Sequence, residues 1–247
     1  MTTIAEFSDP RLVAIYDTVN PYAVDAQPGF YSKLAAEYGS AKVIDLGCGT
    51  GQISRDLARQ SHRVTGVDPS AEMLAVARQA PHGDQVTWIE GDSTALEIAD
   101  FDLAIMTGHV AQFLLTPQDW HNALSVLRAA LQPYGRIGFE SRNPKAKEWE
   151  RWTPENRRTF EDPVAGTIEH WSDVQDVRDG LVSYTNHYLF TATGEELTSS
   201  AQLRFRSEED LTESLGDAGW YVQDIFGDWD GSPAGKKSPE IIIVATR

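Results

Sequence analysis

Cysteine is almost missing from this chain. Its 247 residues contain one, Cys48, so no disulfide can form within it and no thiolate cluster can hold a structural metal. A reducing cytoplasm is the expected setting. Basic residues are scarce as well: 21 Lys and Arg stand against 37 Asp and Glu, a formal charge of −16. That balance repels nucleic-acid phosphates and anionic lipid surfaces and leaves neither a basic footprint to bind. The expected partner is a small molecule, with no nucleic acid and no membrane. Long apolar runs are absent too, the longest being "IIIVA" at Ile241 to Ala245, which is far too short to span a bilayer. The start, "MTTIAEFSDP", has no basic n-region followed by an apolar h-region. The six histidines show no H-x-x-x-H spacing, so no metal is expected.

What is present is alternation. From Ala41 to Glu140 short apolar runs ("KVIDL", "RVTGV", "VTWIE", "FDLAIM", "RIGFE") alternate with helix-like periodicity, which predicts strand-helix-strand units and a parallel sheet. Ile53 and Leu57, and Met73 and Ala77, stand one helical turn apart, so each helix can bury a stripe on that sheet. Thr116-Pro117-Gln118-Asp119 combines an N-cap, a proline at the first helical position and an acid at the third. It opens a helix that Pro133 and Gly135 are expected to close. Ser207 with Asp210 is a second capping signal, and Gly219 ends the helix it opens.

Between these, the pattern changes. Residues 144–206 begin polar, aromatic and proline-bearing. They continue as two candidate antiparallel strands, "TIEHWSDV" and "LVSYTNHYLF", turning at Asp179-Gly180. We read this segment as an inserted β extension over the substrate site, and residues 1–40, with Tyr16, Tyr22 and Tyr31, as one or two helices forming an N-terminal lid. The length favours a single domain carrying that insertion.

The stretch "KVIDLGCGTGQIS" carries the chemistry. A strand followed by glycines and a helix N-terminus admits a ligand to the backbone where no side chain would fit, and the helix dipole favours negative charge there. Counting from Gly47, a dinucleotide fingerprint requires Gly or Ala where Gln52 stands, which opposes a nicotinamide oxidoreductase. A phosphate loop requires Lys-Ser/Thr after Gly51, where Gln52-Ile53 stands. What remains is acid-x-G-x-G-x-G, with Asp45 before the loop. That acid would repel a pyrophosphate and suits an ammonium or a sulfonium.

These residues resemble the class I S-adenosylmethionine-dependent methyltransferases. "VIDLGCGTG" is similar to their first motif, "VTGVDPSAEML" to the second, "WIEGDSTAL" to the third, and "FDLAIMTGHVAQFL" and "LQPYGRIGFESRNP" to the fourth-strand and fifth-strand segments. The likeness is tight over about residues 35–143 and looser over the last forty, and is closest to the broad small-molecule group. One departure is Tyr134 where glycine is usual in "LxPGG", which touches the geometry of that turn. The resemblance implies a Rossmann-like, seven-stranded, mostly parallel sheet with its last strand antiparallel. It also implies S-adenosyl-L-methionine as cofactor and transfer of its methyl group to the N, O or C atom of a small acceptor. A binding protein of the same fold that transfers no methyl group is the alternative, since binding motifs do not establish transfer.

On that reading Asp68 grips the ribose, Asp92 and Ser93 meet the adenine, and Pro69 helps to sandwich it. Asp45, Gly47, Gly49 and Gly51 surround the methionine moiety, with Cys48 a small residue within the loop, and the Thr107 carbonyl meets the amine. Tyr16 is expected to touch the cofactor from the N-terminal lid. His109, after the fourth strand, is the candidate general base because its ordinary pKa lies near neutrality. Tyr22, Arg142, Asn143, Trp171, His187 and Trp229 are the candidates for acceptor contact. Arg151, Arg157 and Arg158 read as a solvated polar face, with contact to an anionic acceptor as the alternative.

Overall fold

The computed structural model describes residues 4–21, 27–96 and 100–247; Tyr22 lies outside them. Helix α1 (Pro10–Val19) is capped by Asp9, whose side chain accepts from Arg11 N, and α2 (Gln27–Ala36) leads to the first strand. The alternating units follow in order: β1 (Lys42–Leu46), α3 (Gln52–Arg59), β2 (Arg63–Asp68), α4 (Ala71–Gln79), β3 (Thr87–Glu90), β4 (Phe101–Met106), the short α5 (Val110–Phe113), α6 (Pro117–Ala130) and β5 (Leu131–Arg142). An antiparallel set comes next: β6 (Arg158–Asp162), β7 (Gly166–Arg178), β8 (Leu181–Phe190) and β9 (Glu195–Arg204). The chain closes with α7 (Glu208–Asp217), β10 (Tyr221–Phe226) and β11 (Glu240–Thr246).

The main sheet runs β10-β11-β5-β4-β1-β2-β3, with β11 antiparallel to both neighbours and the five strands from β5 to β3 parallel, as the resemblance implied. Alternation along each strand sends side chains to opposite faces. Ile44, Ala104, Met106, Ile137, Phe139, Ile241 and Ile243 pack under α6 and α7. Val43, Leu103, Ile105 and Val244 pack under α2 and α3. Strand order reverses between β1 and β4, and a doubly wound sheet opens its ligand crevice at the carboxyl ends there.

Both capping signals hold. Thr116 accepts from Asp119 N at 3.1 Å, and Ser207 and Asp210 form a complete capping box. Helix α6 stops earlier than expected, at Ala130, because Leu131 already pairs with Phe101; the Pro133 to Gly135 stretch is an irregularity inside β5, where the register with β4 shifts. Tyr134 takes φ +68° itself, in place of a glycine, and is 84% exposed.

The β7–β8 hairpin turns at Asp179-Gly180 with φ of +49° and +75°, the left-handed pair that two-residue hairpins need. Strands β6 and β9, absent from the sequence reading, complete a four-stranded sheet. Its inner face carries Ile168 and Tyr188 against Leu12, Ile15 and Val19 of α1. Further along, Val182, Tyr184 and Leu203 pack with Phe113, Trp149 and Trp152. Helix α1 therefore lies between the second sheet and the parallel sheet's carboxyl edge, where it also packs on α4.

Candidate active site

The glycine loop is tied back onto β2. Gly47 N and Cys48 N both donate to Val67 O at 2.7 and 3.1 Å, and Gly49 N donates to Asp68 Oδ2 at 2.8 Å. Three backbone donors expected to face a ligand are thus spent within the protein. What the loop offers is space. Gly47, Gly49 and Gly51 all have positive φ, between +55° and +75°. A Cβ on Gly47 would strike Val110 and one on Gly51 would strike Trp88, but one on Gly49 would meet nothing within 4 Å. Gly108, beyond β4, is equally open at φ +69°. The site is a cradle bounded by Gly49 and Gly108.

Two carboxylates flank it. Asp68 ends β2, and its oxygens accept from Gly49 N and from Ser70 N, each at 2.8 Å. Burial raises its pKa while those two donors oppose the rise; each oxygen keeps a lone pair for another hydroxyl. Asp45 is 1% exposed. Its Oδ2 accepts from Ser54 Oγ at 2.6 Å, while Oδ1 is buried without a partner. Burial lifts its pKa to about 7, with Asp68 and Glu140 adding to the rise. A buried, half-satisfied acid beside an open cradle fits a ligand that brings positive charge, since a counter-charge offsets the cost of ionising it there.

Asp92 caps the turn Ser93–Ala95, its Oδ1 accepting from Thr94 N at 2.8 Å, so this acid holds its own loop while Ser93 is buried beneath it and Pro69 stands exposed at the rim. Thr107 is buried at the end of β4. The Cys48 thiol is pushed well up by burial, with Asp45 and Asp68 adding to it, which makes it a space-saving residue rather than a nucleophile.

His109 departs from the role expected of it. Its Nε2 lies 3.0 Å from Glu240 Oε1, its backbone N donates to Glu140 Oε1 at 2.9 Å, and it sits at φ +63°. Burial drops its pKa to about 3, with Arg142 adding to the fall, and burial lifts Glu240 to about 8. Burial thus favours the neutral form of each partner, and the imidazole is engaged by Glu240. Tyr31 donates to the other oxygen of Glu140. His109 thus anchors the Gly108 turn to β5 and β11.

Several acceptor candidates are also redirected. Asn143 is saturated: Nδ2 donates to Gly235 O and Ser238 O, both at 2.9 Å, and Oδ1 accepts from Lys145 N, so it staples the loop before β11. Trp229 packs on Phe30 and Tyr31 of α2, with ring centroids 5.8 and 6.0 Å away. His187 pairs across the hairpin with Trp171 and stacks on it at 4.8 Å; both stand on the face opposite Tyr184 and Asn186, because strand residues alternate. His187 Nδ1 lies 2.6 Å from Glu196 there, and the Arg157 guanidinium covers the Trp171 ring.

A cavity of about 530 Å³ opens between the two sheets. Gly108, Phe113 and Arg142 line it from the parallel sheet, Tyr16 and Phe7 from the N-terminal segment, and His170, Ser172, Tyr184 and Asn186 from the second sheet. Trp171 reaches its rim, and Arg151 and Arg158, expected to be solvated, line it as well. Arg142 is held by Gln112 Oε1 at 3.0 Å and Glu148 at 3.4 Å.

The sequence reading missed Asp17. Its Oδ1 accepts from Thr50 Oγ1 at 2.6 Å and from Gln52 Nε2 at 3.0 Å, latching α1 onto the glycine loop. Nothing local marks it. Tyr16, beside it, lines the cavity, and burial raises its hydroxyl pKa, with Glu6, Asp17 and Asp68 adding to the rise. Among the described residues no three His, Cys, Asp or Glu side chains gather closely enough to hold a metal ion.

Comparison with known proteins agrees with this geometry. Residues 43–135 match the model of a methyltransferase domain. A putative methyltransferase from Geobacillus sp. (strain WCH70) is 31% identical over 132 residues, covering 51% of this chain and 53% of that protein. The chain spans about half the length of the curated relatives it matches. A solved S-adenosylmethionine-dependent methyltransferase from Clostridium acetobutylicum superimposes with a TM-score of 0.77 at 18% identity, over 96% of this chain and 97% of that one. An S-adenosylmethionine-bound amino pentose methyltransferase, CalS10 from Micromonospora echinaspora, gives 0.73 at 20% identity, over 94% and 96%. Residues 43–135 thus carry a methyltransferase domain, and the fold is that of S-adenosylmethionine-dependent methyltransferases.

Proposed function

We propose that this protein transfers the methyl group of S-adenosylmethionine to a small polar acceptor bound between its two sheets. The observation that carries this reading is the cavity of about 530 Å³ between the two sheets, which Gly108, beyond the carboxyl end of β4, lines together with Tyr16 of α1 and Tyr184 and Asn186 of the second sheet. That volume suits a molecule of sugar or small-metabolite size, the scale of the amino pentose named for one neighbour. Localisation in a reducing cytoplasm is part of the same reading.

When bound, S-adenosylmethionine supplies an electrophilic methyl group on a positively charged sulfur. The chain supplies position and charge. Asp68, oriented by two backbone donors, holds hydroxyls at the end of β2, and Asp45 offers an unsatisfied oxygen to positive charge. Asp92, Ser93 and Pro69 form the adenine side, and the Thr107 carbonyl faces the amine side. Helix α1, latched by Asp17, keeps water from the reacting atoms, with Tyr16 as the inner surface of that cover. Residues 144–206 provide the acceptor wall. Holding nucleophile and methyl group aligned and dry can supply roughly 7–11 kcal/mol of the barrier.

Calorimetry with S-adenosylhomocysteine tests the cofactor site: Asp68→Ala should weaken binding by about 1–3 kcal/mol with unfolding unchanged. Incubation of isotope-labelled S-adenosylmethionine with extracted metabolites, followed by mass spectrometry, tests transfer. Binding without any labelled product would favour a non-transferring binding protein.

A further inference from the structure

One carboxylate in the cavity wall has no counterpart in the cofactor site. Glu6 lies in the short turn Ala5–Phe7, is 9% exposed and lines the cavity. It is fixed at both ends. Its backbone N donates to Ser199 Oγ at 2.8 Å, and Oε2 accepts from Asn186 Nδ2 at 2.9 Å. Asn186 is held in turn, its Oδ1 accepting from Ser172 Oγ at 2.7 Å. Among the described residues Asn186 is the side chain that donates to this carboxylate at hydrogen-bond distance, the Tyr188 hydroxyl also favours its charged form, and Glu6 lines the cavity.

The surroundings of Glu6 are phenols. Tyr16, Tyr184 and Tyr188 each have their hydroxyl pKa raised by burial, with the Glu6 charge adding to it. Among the described residues no basic side chain forms an ion pair with Glu6. Arg142 acts on it from a distance while bound to Gln112 and near Glu148. An ionised carboxylate buried without a counter-charge is among the costliest arrangements in a protein interior, and removing the charge or supplying a cation relieves it. Aromatic faces around the same point favour a cation as well.

We infer that Glu6 is the acceptor-binding carboxylate of the proposed methyltransferase, and that it selects an amine, receiving the acceptor's ammonium group between Tyr16, Tyr184 and Asn186. This deepens the proposed function and rests on it. An ammonium nitrogen has no lone pair. Before it can be methylated, one N–H bond must break with its electron pair left on nitrogen and its proton passed to a base; the Glu6 carboxylate is placed to form that O–H bond. Burial raises the proton affinity of Glu6, in the direction that suits a carboxylate to accept a proton from an ammonium group. An alcohol acceptor would leave the buried charge uncompensated.

The test separates this inference from the cofactor reading. Calorimetry of the full chain with S-adenosylhomocysteine examines the cofactor site alone. The saturated protein, or the ligand-free protein if no binding is seen, is then titrated with cyclohexylamine hydrochloride and with cyclohexanol, which share a ring and differ in charge. Binding is followed by carbon NMR of labelled glutamate carboxyls, with Glu6 assigned by the signal missing from Glu6→Gln. Cyclohexylammonium should bind at least about tenfold more tightly than cyclohexanol, a difference of about 1.4 kcal/mol, and should move the Glu6 signal. Glu6→Gln should lose that preference while keeping wild-type S-adenosylhomocysteine affinity and an unfolding temperature no lower than the wild type's. Equal binding of the two probes, an unmoved Glu6 signal, or an intact preference in Glu6→Gln would each overturn the inference. The first two are read on the wild-type protein, so misfolding of the variant cannot rescue it.

Discussion

Replacing Asp45 with Asn probes the half-satisfied acid under the glycine loop through pH. Unfolded, an aspartate loses its proton near 3.8; buried here, Asp45 holds its proton to about 7. Between those values the ligand-free folded protein keeps a proton that the unfolded chain has released. Stability therefore falls as pH rises through that window, and the full penalty is present above about 7. At about 1.4 kcal/mol for each tenfold in proton affinity, the penalty is on the order of 4 kcal/mol, a large part of the 5–15 kcal/mol or so that typically holds a domain folded. Asparagine cannot ionise. Its NH₂ group, set where Oδ1 now lacks a partner, costs roughly 1–3 kcal/mol, but equally at every pH. Urea unfolding of both proteins without ligand should therefore show Asp45→Asn gaining on the wild type by about 4 kcal/mol between acid and mildly alkaline pH. Glu140 and Glu240 titrate in both proteins and largely cancel. Parallel stability curves would refute the reasoning, because they would mean that Asp45 ionises in the folded state as easily as in the unfolded chain. The same variant should lose more affinity for S-adenosylmethionine than for S-adenosylhomocysteine, since both bring an ammonium group but only the former adds a sulfonium charge.

Two glycine variants separate packing from access. Gly51→Ala, at φ +75° with its Cβ driven into the Trp88 ring, should cost roughly 2–5 kcal/mol of stability from backbone strain and overpacking together. Gly49→Ala should cost only about 1–2 kcal/mol yet abolish calorimetric S-adenosylhomocysteine binding, because its methyl fills the open cradle; unchanged affinity would remove that cradle from the site. Asp17→Asn should loosen the contacts to Thr50 and Gln52: amide exchange in residues 10–21 should speed up without ligand, and an unaltered pattern would mean that apolar packing alone holds α1. His109→Ala should lower the unfolding temperature while leaving S-adenosylhomocysteine affinity within about threefold, under 1 kcal/mol. A fall in turnover of 10²–10⁴-fold or so at unchanged stability would restore the general-base role.

The parts legible in the sequence are those whose cause is local. The glycines at 47, 49 and 51 announce a left-handed loop because all three take positive φ, and at 47 and 51 a Cβ would also strike Val110 or Trp88. Thr116 with Asp119, and Ser207 with Asp210, declare helix starts because a cap is satisfied within four residues. The short apolar runs, with helices between them, determine a doubly wound sheet, and Asp68 follows as the acid at its edge. The tertiary structure decided where two distant segments meet. Glu6 finds Asn186, Asp17 finds Thr50, and His109 finds Glu240, and none of these pairings leaves a trace in residue spacing. Alternation in "LVSYTNHYLF" distinguishes two faces, but only the docking of α1 on Tyr188 makes the even-numbered face the inner one and sends His187 outward. Asn143 and Trp229 stand at the correct edge by sequence, yet their polar atoms and ring are used up by the loop before β11 and by α2. A side chain's place along the chain sets what it can do; burial and long-range partners, which cost or release free energy only once the chain has closed on itself, settle what it does.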